Sequence, residues 1–245
     1  MQILKVIACL LDYPDKSLAE YRTDIEAVVN GAALVGEINS DLRDRLLVFI
    51  DNRLNRDLMA YQAEYDGLFE RGRSLALWLF EHVHGESRDR GQAMVDLIAN
   101  YRQAGLQISQ HELPDYLPLF LEFLSTQGRE NAVSWLLDME HILALLQCRL
   151  EKRESDYALL FELLLSIAGS RVSLDEVRER IADEKRDDSK QAIDKEWQEE
   201  EVTFGADSLE KSCDGTQRKP SESQRQDLDV PLHWVDFETD KRVQP

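Results

Sequence analysis

The spacing of the prolines places the strongest constraint on the fold of this 245-residue chain. No proline occurs between Pro14 and Pro114, and none occurs between Pro118 and Pro220. Because proline interrupts helices, two stretches of about a hundred residues without one favour a chain that is helical throughout. Only 11 glycines are present, which is few for the turns of an all-β protein. The sequence therefore predicts an all-α fold.

Apolar residues recur at helical spacing along most of the first 200 positions. The pattern predicts a first helix that ends near Pro14, a second from about Ser17 to Val29, and a later one from about Ser74 to Val83. Ser173-Leu174-Asp175-Glu176 is typical of a capping box that opens a polar helix. Since the predicted links are short, we expect residues 1–204 to form a single compact helical bundle.

The helical pattern stops after about Gly205. The remaining residues are rich in Ser, Gln and Asp and hold half of the prolines. Such a composition predicts a disordered acidic tail over residues 205–245, whose removal after Phe204 should preserve the fold. One apolar cluster in the tail, residues 232–237, is either a short docking segment or incidental.

The net charge of −19 excludes several classes of function. Residues 1–182 carry −11 and the residues from Asp183 onward carry −8. An acidic surface repels nucleic-acid phosphates and anionic lipid headgroups, so neither is an expected partner. No window approaches 18 uncharged apolar residues, and the apolar run from Val6 is too short for a signal peptide because Asp12 interrupts it.

Three cysteines, Cys9, Cys148 and Cys213, are widely spaced and form no CxxC pair. This pattern matches neither a disulfide framework nor a zinc site, and it fits a reducing compartment. Cys148 lies among leucines, which indicates a buried, inert thiol. We therefore expect a soluble, cytoplasmic protein.

Residues 81–90, EHVHGESRDR, form the densest polar run. One interpretation is a metal-dependent hydrolase in which His82 and Glu86 share a helical face, with His84 or Glu81 as further ligands. Two features count against it: His82 and His84 face different sides of a helix, and Gly85 interrupts the helix between them. We therefore expect no metal site.

Two other interpretations of the same run remain open. Glu86 and Arg90 can pair across one helical turn, while Asp89 favours the first turn of the next helix, so the charges can be purely structural. Alternatively, Arg88 and Arg90 could hold the carboxylate or phosphates of a ligand such as GTP or a pterin cofactor. The chain has no glycine-rich phosphate loop and no nucleophile motif, so no catalytic residues are predicted.

A second run, residues 112–119, precedes a segment that is apolar almost all round, from Tyr116 to Leu124. Pro114 and Asp115 suit the first turn of a helix. The apolar helix then lies either at the centre of the fold or along a groove. In the second case, Glu112 and Asp115 would pair with a cationic amphipathic peptide. The candidate peptide-binding residues are Glu112, Pro114, Asp115, Tyr116, Leu117, Pro118 and Phe120.

Three segments together resemble the NarJ family, the molybdenum cofactor assembly chaperones of respiratory nitrate reductase. They are residues 65–73, YDGLFERGR; residues 79–94, LFEHVHGESRDRGQAM; and residues 112–119, ELPDYLPL. The resemblance extends over about residues 1–204. It implies the all-helical fold of the wider TorD/DmsD group and no catalytic activity.

The resemblance also implies a client. Proteins of this family bind the apo catalytic (alpha) subunit of nitrate reductase, including its N-terminal segment, a remnant of a twin-arginine signal. They hold it ready for insertion of the molybdenum guanine dinucleotide cofactor and delay membrane anchoring, without binding a cofactor stably. A sister molybdoenzyme as client and cofactor-synthesis proteins as further partners stay open. Tyr116 stands where the wider group often has histidine, which weakens any direct contact with cofactor or nucleotide there.

Overall fold

The computed structural model describes residues 1–84, 88–109 and 112–199, and these residues contain helices but no β-strand. The predicted tail, residues 205–245, lies outside them. The helices are α1 (Gln2–Leu11), α2 (Ser17–Glu20), α3 (Arg22–Leu34), α4 (Ser40–Leu54), α5 (Leu58–Tyr65), α6 (Leu79–His84), α7 (Arg88–Gln103), α8 (Leu117–Thr126), α9 (Arg129–Asp138), α10 (Glu140–Lys152), α11 (Ala158–Ala168), α12 (Leu174–Arg180) and α13 (Lys190–Glu199). A π-helical turn, Asp66–Glu70, and a 3-10 turn, Arg73–Leu75, lie between α5 and α6.

The prediction of an all-α fold is confirmed over the described residues. The predicted capping box is also confirmed, because the Ser173 hydroxyl accepts a hydrogen bond from the Glu176 amide at 3.4 Å. The predicted helix from Ser17 to Val29 is in fact two helices, α2 and α3, which meet at Tyr21.

The hydrophobic core is built around α1 and α8. Nearly all of α1 is buried, and it packs mainly against α8 and then against α3. Phe120 and Phe123 of α8 form edge-on and tilted ring contacts with each other and with Trp135 of α9. The apolar character of α8 on several faces thus reflects a central position in the fold.

A second part of the core lies around α11, which is buried along most of its length. This helix packs against α10, α9 and α4 and ends at Gly169, whose φ of 66° lies in the left-handed region that glycine tolerates. Cys148 of α10 is 1% exposed, and burial raises the pKa of its thiol, so it behaves as a small core residue.

The predicted helix from Ser74 to Val83 is wrong in its first half. Residues 76–78 are extended instead, because they pair with the chain that leads into α8. The Leu79 amide donates to the Asp115 carbonyl at 2.9 Å, and the Leu117 amide donates to the Leu77 carbonyl at 2.8 Å. This short antiparallel bridge between Trp78 and Tyr116 joins the second and third family-like segments.

Among the described residues, no helix combines the length and the apolar character needed to cross a bilayer.

Candidate functional site

Most of the candidate peptide-binding residues at the start of α8 are buried. Leu117 and Phe120 are 0% and 1% exposed, and Pro114 and Pro118 are also buried. Glu112 is exposed. Of the two positions that the sequence left open for α8, the structure shows the central one, because α1 and α9 cover its apolar face.

Asp115 is 0% exposed, so it does not form the acidic rim at the surface that the groove interpretation required. Its carboxylate accepts a hydrogen bond from the Phe80 amide at 3.2 Å and lies 3.7 Å from the Arg90 guanidinium. Burial raises the pKa of Asp115, and the contacts with Phe80 and Arg90 oppose that shift. Asp115 therefore caps the start of α6 from a distant point in the sequence.

Tyr116 connects the same motif to the end of α1. Its hydroxyl donates to the Asp12 carboxylate at 3.0 Å and lies 3.2 Å from the Tyr65 hydroxyl. The Tyr65 hydroxyl donates in turn to the Leu11 carbonyl at 2.9 Å. Burial raises the pKa values of both tyrosines, so they remain neutral donors at physiological pH. The Tyr116 hydroxyl thus holds the Asp12 carboxylate in place at the end of α1.

Two described side chains of the polar run, those of His82 and Arg90, contact other parts of the fold. His82 Nε2 donates to the Ala76 carbonyl at 2.7 Å, and burial lowers the pKa of its imidazole. Arg90 faces Asp115, Glu81 is half-buried, and Asp89 is exposed in the first turn of α7.

The metal-binding interpretation of this run gains no support. Across the described part of the chain, no group of three potential ligands is arranged to hold a metal ion. The side chains of His84, Glu86 and Arg88 lie outside the described residues.

A groove of about 560 Å³ lies between α1 and α3. Its wall is mainly apolar, and two aromatic residues on it, Tyr13 and Tyr21, are 48% and 57% exposed. The charged residues that line it are Asp12, Asp15, Asp24 and Lys5, so acidic groups outnumber basic ones. The lining residues are Gln2, Lys5, Val6, Cys9, Asp12, Tyr13, Asp15, Ser17, Leu18, Tyr21, Asp24, Ile25 and Val28.

The sequence contained no separate signal for this groove. Residues 6–11 are apolar all round the first helix, but packing against α8, α3 and α11 buries all of them except Cys9. The structure shows that α8 covers one side of α1 and that Val6 and Cys9 line the groove on another. Asp12, at the end of α1, both lines the groove and receives the Tyr116 hydrogen bond. Residues 112–119 therefore do not line the groove. Tyr116 contacts it only through the hydrogen bond to Asp12, and α1 and α3 form most of its wall.

The sequence matches one protein family and several individual proteins. Residues 31–162 match the family described as the nitrate reductase delta subunit. The chain is 49% identical over 205 residues to the nitrate reductase molybdenum cofactor assembly chaperone NarJ of Escherichia coli strain K12. The matched region covers 83% of this chain and 85% of that protein.

Two further relatives carry related names. The probable chaperone NarW of the same strain is 45% identical over 237 residues, 97% of each chain. The probable NarJ of Bacillus subtilis strain 168 is 34% identical over 161 residues, 65% of this chain and 84% of that protein. These relatives are named as chaperones, in agreement with the prediction that the chain is not an enzyme. The chain belongs to the NarJ family of nitrate reductase molybdenum cofactor assembly chaperones.

Proposed function

We propose that this protein binds the apo alpha subunit of a respiratory nitrate reductase in the cytoplasm, including its N-terminal segment. It keeps that subunit ready for insertion of the molybdenum guanine dinucleotide cofactor and delays membrane anchoring until insertion is complete. It does not hold the cofactor stably itself. The names of the relatives support the assembly role. The observation that carries the binding role is the acidic, aromatic-lined groove between α1 and α3.

The chemistry of the groove suits a basic amphipathic segment. A peptide of twin-arginine type carries cations that can approach Asp12, Asp15 and Asp24, while its apolar side chains cover the exposed rings of Tyr13 and Tyr21. The acidic groups accelerate the encounter, and the apolar wall provides most of the affinity. Moderate affinity is sufficient, because the chaperone has to leave after cofactor insertion.

Calorimetric titration with a synthetic peptide of the alpha-subunit N-terminus tests this proposal. We expect binding that weakens as salt is raised and that has a negative heat-capacity change, because charges attract and apolar surface is buried. A scrambled peptide of the same composition is the control. Absence of heat and of chemical-shift change at millimolar peptide would contradict the proposal.

Charge reversal in the groove locates the site. Asp24 lies in the first turn of α3, and Glu130 occupies the first turn of α9 away from the groove. Neither carboxylate has a salt bridge among the described residues, so Asp24→Lys and Glu130→Lys perturb the two helix N-termini alike. We expect Asp24→Lys to weaken the peptide about tenfold at low salt, which corresponds to about 1.4 kcal/mol. Equal affinities of the two variants would place the peptide elsewhere.

The client is defined by purification from cells that lack molybdenum cofactor. An unloaded alpha subunit should then accumulate on the chaperone, and mass spectrometry of the eluate distinguishes nitrate reductase from a sister molybdoenzyme. Binding resides in residues 1–204, so truncation after Phe204 should leave peptide affinity unchanged. A lower affinity of the truncated chain would assign a role to the tail.

A further inference from the structure

The segment that joins α12 to α13 lies across a set of basic side chains. We call residues 182–188 the strap. Arg149 of α10 donates to the Glu184 carboxylate from Nε at 2.8 Å and also from a second nitrogen. Lys152 donates to the carbonyls of Ile181, Ala182 and Glu184 at 2.7–2.9 Å. Within the strap itself only Ala182 is apolar, so polar contacts hold the strap in place.

The Asp187 carboxylate occupies the most enclosed part of this contact. It accepts hydrogen bonds from the Ser74 amide at 2.7 Å, from the Ser74 hydroxyl at 2.6 Å and from Arg153 Nη2 at 2.8 Å. A Cβ atom at Gly72 would lie 2.6 Å from the carboxylate, so only glycine permits this approach. We call Gly72, Ser74, Arg149, Lys152 and Arg153 the cradle.

The arginines of the cradle are more deeply buried than most of the strap. Arg153 is 7% exposed and Arg149 is 16% exposed, and Arg149 also donates to the Ser74 carbonyl at 2.8 Å. Residues 182–186 of the strap are exposed, in contrast. The receptor for the carboxylate is therefore built into α10 and the 3-10 turn, whereas its occupant belongs to a surface segment that local opening can release.

One buried nitrogen of the cradle, Arg153 Nη1, has no hydrogen-bond acceptor among the strap carboxylates. Arg153 Nη1 is buried and lies 3.2 Å from Asp188, but it makes no aligned hydrogen bond. Three carboxylates, those of Glu184, Asp187 and Asp188, contact two cations of the cradle, Arg149 and Arg153. The third cation, Lys152, contacts only backbone carbonyls, and Asp188 also pairs with Arg186 of the strap. A single ligand that replaced them would need about three negative charges and several acceptor oxygens. A diphosphate group has both.

We propose that the cradle is a binding site for the diphosphate group of a ligand, and that the strap occupies this site as an internal substitute. The ligand displaces Glu184, Asp187 and Asp188 and takes their hydrogen bonds from Ser74, Arg149 and Arg153. Its exchange with the strap couples occupancy of the cradle to release of the segment that leads into α13. This site is separate from the α1–α3 groove and does not depend on the proposed client.

Removal of the carboxylates tests the proposal with inorganic pyrophosphate as the probe. The variant Glu184→Gln/Asp187→Asn/Asp188→Asn keeps the strap but removes its charge. The matched control Asp41→Asn/Asp44→Asn/Glu130→Gln changes the net charge equally at exposed positions. In titrations at constant ionic strength, we expect the strap variant to bind pyrophosphate at least tenfold more tightly than the wild type, and the control to match the wild type. Addition of Arg153→Gln to the strap variant should abolish the gain.

Three outcomes would overturn the proposal. They are equal pyrophosphate affinity of the strap variant and the control, equal binding of sulfate and pyrophosphate by the strap variant, and a gain that survives Arg153→Gln.

A measurement on the unaltered chain covers the case in which the strap variant fails to fold. Saturating pyrophosphate should shift the amide resonances of Ser74 and of residues 182–188 in the wild type, because Ser74 exchanges its carboxylate partner for a phosphate oxygen. Unchanged Ser74 and strap resonances at millimolar pyrophosphate would contradict the proposal.

Discussion

The groove and the strap differ in whether their carboxylates contact a cation. In the strap, Asp187 and Asp188 contact buried Arg153 of the cradle. In the groove, Asp12, Asp15 and Asp24 form no ion pair with any cation that the structure describes, and Asp15 instead accepts hydrogen bonds from neighbouring Ser17. An acidic protein therefore contains two kinds of acidic surface. Carboxylates without an internal cation are available to a basic partner, whereas those that already hold an arginine are not.

Arg153→Ala should have the largest effect on stability. It removes the only cation that Asp187 contacts among the described residues, while Asp188 keeps Arg186, and loss of one partner of a largely buried pair costs about 3 kcal/mol. Urea unfolding followed by circular dichroism measures the change. The control is Arg45→Ala, because the pair of Arg45 with Glu162 is 45% and 37% exposed and should contribute less than about 1 kcal/mol. Similar losses in both variants would remove the distinction between the cradle and an ordinary surface pair.

Tyr116→Phe should have an intermediate effect. The substitution removes the hydroxyl that donates to Asp12 and lies beside Tyr65, which should lower the free energy of unfolding by about 1 kcal/mol. Peptide affinity should change much less than with Asp24→Lys, because Tyr116 acts on the groove only through Asp12. Tyr21→Phe is the stability control, since the Tyr21 side chain is 57% exposed. A large loss of peptide affinity with normal stability would make Tyr116 a contact residue instead.

His82 should make stability depend on pH beside the cradle. Burial lowers the pKa of His82, the Ala76 hydrogen bond opposes this shift, and the nearby charge of Arg149 adds to it. The unfolded chain therefore takes up the proton more readily, so this contribution to stability is complete above pH 6.5 and is lost as the pH falls below that value. Unfolding between pH 7.5 and pH 5 should show a smaller decline in His82→Gln than in His141→Gln, which alters an exposed histidine. Equal declines would contradict the assignment.

Asp24→Asn should have the smallest effect on stability. Asp24 is exposed and has no described cation partner, so its neutralisation should change the free energy of unfolding by less than about 0.5 kcal/mol, mainly through the helix dipole. Glu130→Gln, at an exposed position in the first turn of α9, should behave alike in thermal unfolding. A clear loss that is confined to Asp24→Asn would show that this groove carboxylate is also part of the internal network.

Local pattern predicted the helical character of the chain and most of its helices, but neither the breaks at Tyr21 and before Leu79 nor the packing partners of the helices. The spacing around Leu42, Leu46 and Phe49 or around Leu160 and Leu164 is set within each helix, so it is visible in the sequence. The burial of α8 depends instead on α1, more than a hundred residues earlier in the chain. Periodicity left both a core and a groove possible for α8 and could not choose between them.

Because sequence periodicity does not reveal tertiary partners, it also could not predict the contacts of the candidate site residues. Asp115 suited an exposed first turn, yet its hydrogen-bond partner is the Phe80 amide, 35 residues away. The contact of Asp187 with Ser74 spans 113 residues. Such pairings are set by tertiary packing, and no local rule links their members. The resemblance to a family singled out residues 112–119, but it did not indicate that Asp115 and Leu117 are buried inside the fold.

The short bridge between Trp78 and Tyr116 offers a way to observe how these segments assemble. Its two hydrogen bonds involve the amides of Leu79 and Leu117, and both residues are almost fully buried. Solvent exchange at these two amides requires the loop between them to open, whereas exchange within a helix end requires only fraying. The part of the sequence between these two residues, residues 80–116, contains the polar run and α7. Hydrogen exchange at Leu79 and Leu117 would therefore report, without any probe group, whether a bound client tightens or loosens this loop.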